Sequence, residues 1–278
     1  MSSRGLFAMI LLGALSPAYS APVGDTQSPS TSHTPWEAPD SVIVLDAYQG
    51  NRVDLARVST DPHHVAAVIW QSSIGCTDTF PQRCSAGERA SHFHVDGQFL
   101  QMAHSAQARH FPFGAYHFGV TGHVEDQARQ FVDLIRQTGT TYIALDIDGD
   151  SAPNISLPEA EAFLTYVHDH LGRWPAVYTN LDVAATISGR YGPSSAFGHT
   201  TLWVASPTLN MPPPGHPLPT NIWPAYTLWQ FTSDDMCNPH RGTVPPRPCP
   251  VHIQGIDPGT DVNVFNGTPQ ALAALFGQ

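Results

Sequence analysis

The sequence contains no lysine; all 12 of its basic residues are arginine. That absence excludes Schiff-base chemistry, a lysine general base and the phosphate-clamping lysine of a P-loop. Charge of any sign is scarce, at 13% of residues, and the formal net charge is -11. A protein that binds nucleic acid does so by neutralising phosphates, so this balance argues against such a partner. At 41% hydrophobic residues the chain is too apolar to be disordered. Its 278 residues can bury one large core or two small ones. The four cysteines form no Cys-x-x-Cys pair, which disfavours a zinc site.

The N-terminus reads as an export signal over residues 1–20. Arg4 supplies the positive start, Leu6 to Leu15 the apolar stretch, and Ala18-Tyr19-Ser20 before Ala21 the small residues of a cleavage site. The apolar stretch is too short to span a bilayer, and no later one is long enough. A secreted or periplasmic location is expected, with no membrane contact after cleavage. Residues 21–40 are rich in Pro, Ser and Thr and are expected to form a flexible linker to a domain over 41–278. Export permits disulfides. Cys76, Cys84, Cys237 and Cys249 allow three connectivities, of which the local pairs Cys76–Cys84 and Cys237–Cys249 are the expected ones.

Eight short apolar runs read as strands: Val42–Leu45, Ala66–Trp70, Phe113–Tyr116, Tyr142–Ile147, Ala176–Tyr178, Leu202–Ala205, Thr227–Phe231 and Val262–Phe265. Helical periodicity lies between them. One face carries Val124, Ala128, Phe131, Val132 and Ile135, and a second carries Ala160, Phe163, Leu164, Val167 and Leu171. Ser156, Pro158 and Glu159 sign the start of the second helix. Further helices are expected near Gln98–Arg109, Leu181–Ser188 and Pro269–Phe276. Alternating strands and helices with eight strands predict an α/β barrel of TIM type, whose chemistry sits at the C-terminal strand ends.

Carboxylates occupy those positions. Asp46 ends the first strand, Asp146, Asp148 and Asp150 end the fourth, and Asp261 opens the last. Alternation sends Asp146 and Asp148 to one face. Two close carboxylates cannot both ionise cheaply, and a raised acid beside an ionised partner is the arrangement of glycoside hydrolysis. Residues 143–149 also match the Asp-x-Asp-Gly strand of haloacid-dehalogenase phosphatases, but those need a lysine. An EF-hand loop fails at Ser151, where glycine is required, and at Leu157, where glutamate is. The densest histidine pairs, His92/His94 and His168/His170, have no standard ligand spacing, so no metal and no cofactor are expected.

The order of motifs resembles the family 25 glycoside hydrolases, lysozymes that cut peptidoglycan, from about Val42 to Asn266. The matching segments are Asp46-Ala47-Tyr48-Gln49-Gly50, Gly114-Ala115-Tyr116-His117-Phe118 and Leu145-Asp146-Ile147-Asp148. They continue with Tyr178-Thr179-Asn180, Leu202-Trp203-Val204-Ala205, Leu228-Trp229-Gln230-Phe231 and Asp261-Val262-Asn263. The resemblance implies a modified barrel of eight strands and about five helices. It implies cleavage of the β-1,4 bond from N-acetylmuramic acid to N-acetylglucosamine, without a cofactor, by a monomer acting on peptidoglycan glycan strands. It implies Asp148 as general acid, an ionised Asp146 that stabilises positive charge, and Asp46 and Asp261 as positioning groups. Tyr48, Gln49, Tyr116, Phe118, Tyr178, Trp203, Trp229 and Gln230 would bind the sugars.

Three departures stand out. Asp148 replaces the family's glutamate and is shorter by one methylene, about 1.5 Å of reach. Gln71 stands where the family often has lysine. About twenty residues between Gly75 and Asp96 read as an insertion over the catalytic face. The first departure supports an alternative reading, a weak or inactive relative that binds peptidoglycan or another glycan.

Overall fold

All eight apolar runs become strands of one closed sheet. The computed structural model describes residues 34–77, 84–149, 151–207, 218, 220–233, 251–257 and 259–278. Its strands are β1 (Ile43–Ala47), β2 (Arg52–Val53), β3 (Val65–Gly75), β4 (Phe93–Val95), β5 (Phe113–Phe118), β6 (Tyr142–Asp146), β7 (Ala176–Asn180), β8 (Leu202–Ala205), β9 (Leu228–Thr232), β10 (Ile256–Asp257) and β11 (Asp261–Phe265). The ring runs β1-β11-β9-β8-β7-β6-β5-β3 and closes through a β1–β3 pairing; β4 extends it beside β3. Strands β2 and β10 form a separate small sheet.

The ring is mixed. β1, β3 and β5 to β9 pair in parallel, whereas β11 is antiparallel to both β1 and β9. Reversal brings the first residue of β11, Asp261, opposite Asp46 at the end of β1. An acid that opens a strand thereby reaches the rim on which the other strands end.

Alternation along each strand separates two cores. Val44, Ala67, Ile69, Tyr142, Ala144, Ala176, Trp203, Leu228 and Phe265 fill the barrel interior. The neighbouring residues Ile43, Leu45, Val68, Trp70, Leu145, Val177, Val204, Trp229 and Phe231 face outward against the helical layer. Helices α1 (Leu55–Val58), α2 (Ala86–Ser91), α3 (Phe99–Ala108), α4 (Val124–Thr138), α5 (Leu157–Leu171), α6 (Leu181–Arg190) and α7 (Pro269–Leu275) are those among the described residues. Five of them coincide with the five helices expected. The apolar face of α4 is buried at Ala128, Phe131, Val132 and Ile135. The helix stops at Gly139, whose φ of 67° is left-handed and suits a residue without Cβ. Helix α5 starts with both halves of a capping box between Ser156 and Glu159. Leu272 and Phe276 close the barrel floor, with Phe276 stacked on Tyr142 at 4.7 Å.

Part of the expected linker packs on the domain. Trp36 is 5% exposed and stacks on Phe231 at 4.3 Å, with Trp229 edge-on at 5.7 Å. A large aromatic gains more by burial than by hydration, so residues 34–40 belong with the barrel.

Cys76 and Cys84 form a disulfide, with Cα atoms 6.1 Å apart, at the exit of β3. Cys237, Cys249 and the export segment lie outside the described residues. Because the bond constrains a short loop in the unfolded chain, replacing both Cys76 and Cys84 by serine is expected to cost about 2–3 kcal/mol. Urea unfolding of the variant and parent measures it.

Candidate active site

The C-terminal mouth of the barrel gathers acids onto one hydrogen-bonded frame. Asp46 is 6% exposed at the end of β1. Its Oδ2 accepts from Asn263 Nδ2 at 2.7 Å and from Gln230 Nε2 at 3.4 Å. Tyr178 donates its hydroxyl to Gln230 Oε1 at 2.8 Å, and Trp203 Nε1 donates to Asn263 Oδ1 at 2.6 Å. Asn263 also donates to the Val44 carbonyl, and Thr260 Oγ1 donates to the Asp46 carbonyl. Asp46, Gln230 and Asn263 thus each have a rotamer set by groups on other strands.

Burial pushes the Asp46 carboxyl up to about 7, opposed by hydrogen bonds from Asn263, Gln230 and Asp261. Asp46 and Asp261 face each other across the β1–β11 pair. Burial also raises Asp146 well above the usual carboxylate range, and the charges of Asp148, Asp46 and Asp261 push it further. Its Oδ1 is buried and has no hydrogen-bond partner among the described residues. Burial and three acidic neighbours thus favour the neutral form of Asp146, the direction opposite to the ionised role expected of it.

Asp148 lies two residues further along and is exposed. Its approach is fixed. Ile147 donates its N–H to the Tyr178 carbonyl at 2.9 Å, and its carbonyl accepts from Thr179 Oγ1 at 2.7 Å. On the other side Gly119 N donates to the Asp146 carbonyl at 3.1 Å. The two acids thus form a buried and an open carboxyl on one pinned segment.

Tyr116 and Tyr178 are half-buried and meet Trp203 edge-on, at 6.1 and 4.7 Å. Both phenols are pushed up, first by burial and then by the charges of Asp46, Asp146 and Asp261. Phe118 is level with Asp146 in the register, as Tyr178 is on the other side. Gln71 is buried on β3, beside Tyr116 in the register.

Three expected sugar contacts are placed elsewhere, the first being Trp203, which is 1% exposed in the barrel interior with Nε1 on Asn263. Trp229 is fully buried on the outer face of β9, between Trp36 and Phe231, with Nε1 donating to the Ser206 carbonyl. Inward positions of that strand go to Leu228 and Gln230, so Trp229 offers the mouth nothing. Gln49 is exposed but turns to the 96–98 loop: its Oε1 accepts from Gly97 N and its carbonyl from Gln98 Nε2. Tyr48 sits half-buried at the start of the loop after β1, with its N–H on Asn51 Oδ1.

Asn263 and Asp96 carry more than the sequence reading assigned them. Asn263 links Asp46 to Trp203; its place in the Asp261-Val262-Asn263 motif was the available signal. Asp96 is buried and accepts from Trp70 Nε1, Gln49 N and Gln98 N, which anchors the loop after β1. No motif marks it. Glu159 serves α5 and its neighbour: beyond the cap it accepts from Gly122 N at 2.7 Å and Thr121 Oγ1 at 2.9 Å.

A family model described as glycosyl hydrolases family 25 matches residues 87–239. Solved structures of similar fold include the bacterial lysozyme from Streptomyces coelicolor, 17% identical with TM-score 0.60, covering 86% of this chain and 98% of that one. The family GH25 lysozyme from Aspergillus fumigatus is 19% identical with TM-score 0.57, covering 85% and 99%. The muramidase from Acremonium alcalophilum is 22% identical with TM-score 0.56, covering 85% and 100%. A search of curated proteins found no match.

Proposed function

Because the chain belongs to the glycosyl hydrolases of family 25, and is a glycosidase of that family, we propose that it hydrolyses the β-1,4 bond between N-acetylmuramic acid and N-acetylglucosamine in peptidoglycan. The observation that carries this reading is an open carboxyl, Asp148, two residues from a buried one, Asp146, at a mouth lined by the half-buried Tyr116 and Tyr178.

Asp148 is the acid. Exposed at the rim, it protonates the glycosidic oxygen as the bond to the sugar breaks, and water then adds to the anomeric carbon and returns a proton to the Asp148 carboxylate. Asp146 is a hydrogen-bond donor, since burial keeps its proton; Oδ1 and its hydrogen can meet the N-acetyl group or Asp148. Asp46 and Asp261, adjacent across the β1–β11 pair, are the carboxyls placed to offset the positive charge that develops on the sugar ring. Aromatic rings offer the apolar faces of the sugars a surface to stack on. The N-terminal segment suits export to the periplasm or beyond, where such a substrate lies. No helix among the described residues is long and apolar enough to cross a membrane.

The short Asp148 favours a second reading, a relative that binds peptidoglycan without cutting it. Clearing of a peptidoglycan suspension, measured beside co-sedimentation with the same material, separates the two. The hydrolase reading expects both clearing and sedimentation. Sedimentation with no clearing supports the binder.

A further inference from the structure

Two histidines far apart in sequence meet one aspartate beside the mouth. His92 ends α2 and His123 precedes α4; both are left-handed, with φ of 58° and 54°. Such backbone is uncommon for a residue with a Cβ, although histidine tolerates it better than most. Here it brings the two imidazoles face to face, with centroids 3.4 Å apart and planes within 7°. His92 Nδ1 lies 3.1 Å from Asp126 Oδ2, and His123 Nδ1 lies 3.9 Å from the same oxygen. Arg129 occupies the other oxygen, donating from Nη2 to Oδ1 at 2.6 Å. One ligand atom from each of His92, His123 and Asp126 falls within 4.8 Å of the others.

We propose that His92, His123 and Asp126 bind a divalent transition-metal ion, with zinc the best match, which staples α2 to the start of α4. Zinc bonds of about 2.0–2.2 Å in a tetrahedron place ligand atoms about 3.3 Å apart, close to the distances to Asp126 Oδ2, and binding requires the stacked imidazoles to turn until their ring planes meet at the ion. Two imidazoles and one carboxylate suit zinc and its neighbours, whereas calcium and magnesium seek oxygen alone. The His123 and Asp126 side chains are 56% and 33% exposed, so water can take the fourth position. Helix α2 lies in the segment between Gly75 and Asp96, whose other end is tied by Cys76–Cys84. Cys76 N also donates to the His92 carbonyl at 3.0 Å. The ion would reinforce the side of this segment where Gln130 Nε2 donates to the Ser91 carbonyl at 2.7 Å.

The test is calorimetric titration of ZnCl2 into the full chain, without an affinity tag and after chelator treatment. One saturable event with one ion per chain is expected. His123→Asn, which keeps a residue tolerant of left-handed backbone, and Asp126→Asn should each weaken it at least about 10-fold, as loss of even an outer-shell partner does. Circular dichroism checks that each variant folds, and if one does not, the other decides. No saturable event in the parent overturns the proposal. Unchanged affinity in a folded variant overturns it too, since it places the ion on other histidines among the 15. Equal affinity for CaCl2 overturns the assigned ligand chemistry.

Discussion

Asp148→Asn is expected to slow release of reducing ends from peptidoglycan by about 100- to 10,000-fold, the range a general acid contributes. Asparagine keeps the shape of the side chain but cannot give up a proton. Asp148 is exposed and its backbone is held through Ile147 and Thr179, so the substitution should leave fold and glycan binding intact. The loss should therefore appear in kcat, with KM little changed. The reverse substitution is equally informative. Asp148→Glu adds about 1.5 Å of reach, and a misplacement of about 1 Å can cost roughly 100-fold in rate. If short reach limits this enzyme, Asp148→Glu is faster than the parent. A slower Asp148→Glu would mean that the mouth has closed around the shorter acid.

Asp46→Asn is expected to stabilise the protein at neutral pH while reducing activity. The sign follows from the proton. The folded chain holds the Asp46 carboxyl at about 7, against 3.8 for the free group. Between those values the folded state keeps a proton that the unfolded state releases. Stability from this group is thus fully present below about pH 4 and is lost as pH rises through 7. One pKa unit corresponds to about 1.4 kcal/mol, so the loss is a few kcal/mol across this window. Asp146, raised for the same reason, acts in the same direction. Asparagine at position 46 can still accept from Asn263 and can donate to Asp261, without burying charge. Melting curves at pH 4 and pH 8 should show the parent losing stability at the higher pH and Asp46→Asn losing less. A parent more stable at pH 8 than at pH 4 would contradict the assignment of buried, protonated acids to the mouth.

The barrel was legible because its strands are buried on both faces and so appear as continuous apolar runs. Direction was not legible. Nothing in Asp261–Phe265 distinguishes a parallel from an antiparallel strand, and only the pairing with β1 and β9 shows the reversal. The phase of β9 could have been read. Leu228, Gln230 and Thr232 share a face, so a polar Gln230 directed at Asp46 requires Trp229 to point outward. The four rim acids were found from their places at strand ends. Their protonation was not, because it depends on burial and on neighbours from separate strands. Asp96 and the His92–His123–Asp126 trio escaped for a related reason: their partners are brought together by loops, which carry no periodic signal.

The most direct measurement is the chemical identity of new reducing ends. Purified peptidoglycan is incubated with the parent chain and with Asp148→Asn, the products are reduced with borohydride, and the terminal sugars are identified by mass spectrometry. The account predicts reduced N-acetylmuramic acid from the parent and nearly none from Asp148→Asn. Termini of reduced N-acetylglucosamine, or no new termini from a parent that binds the polymer, would contradict it.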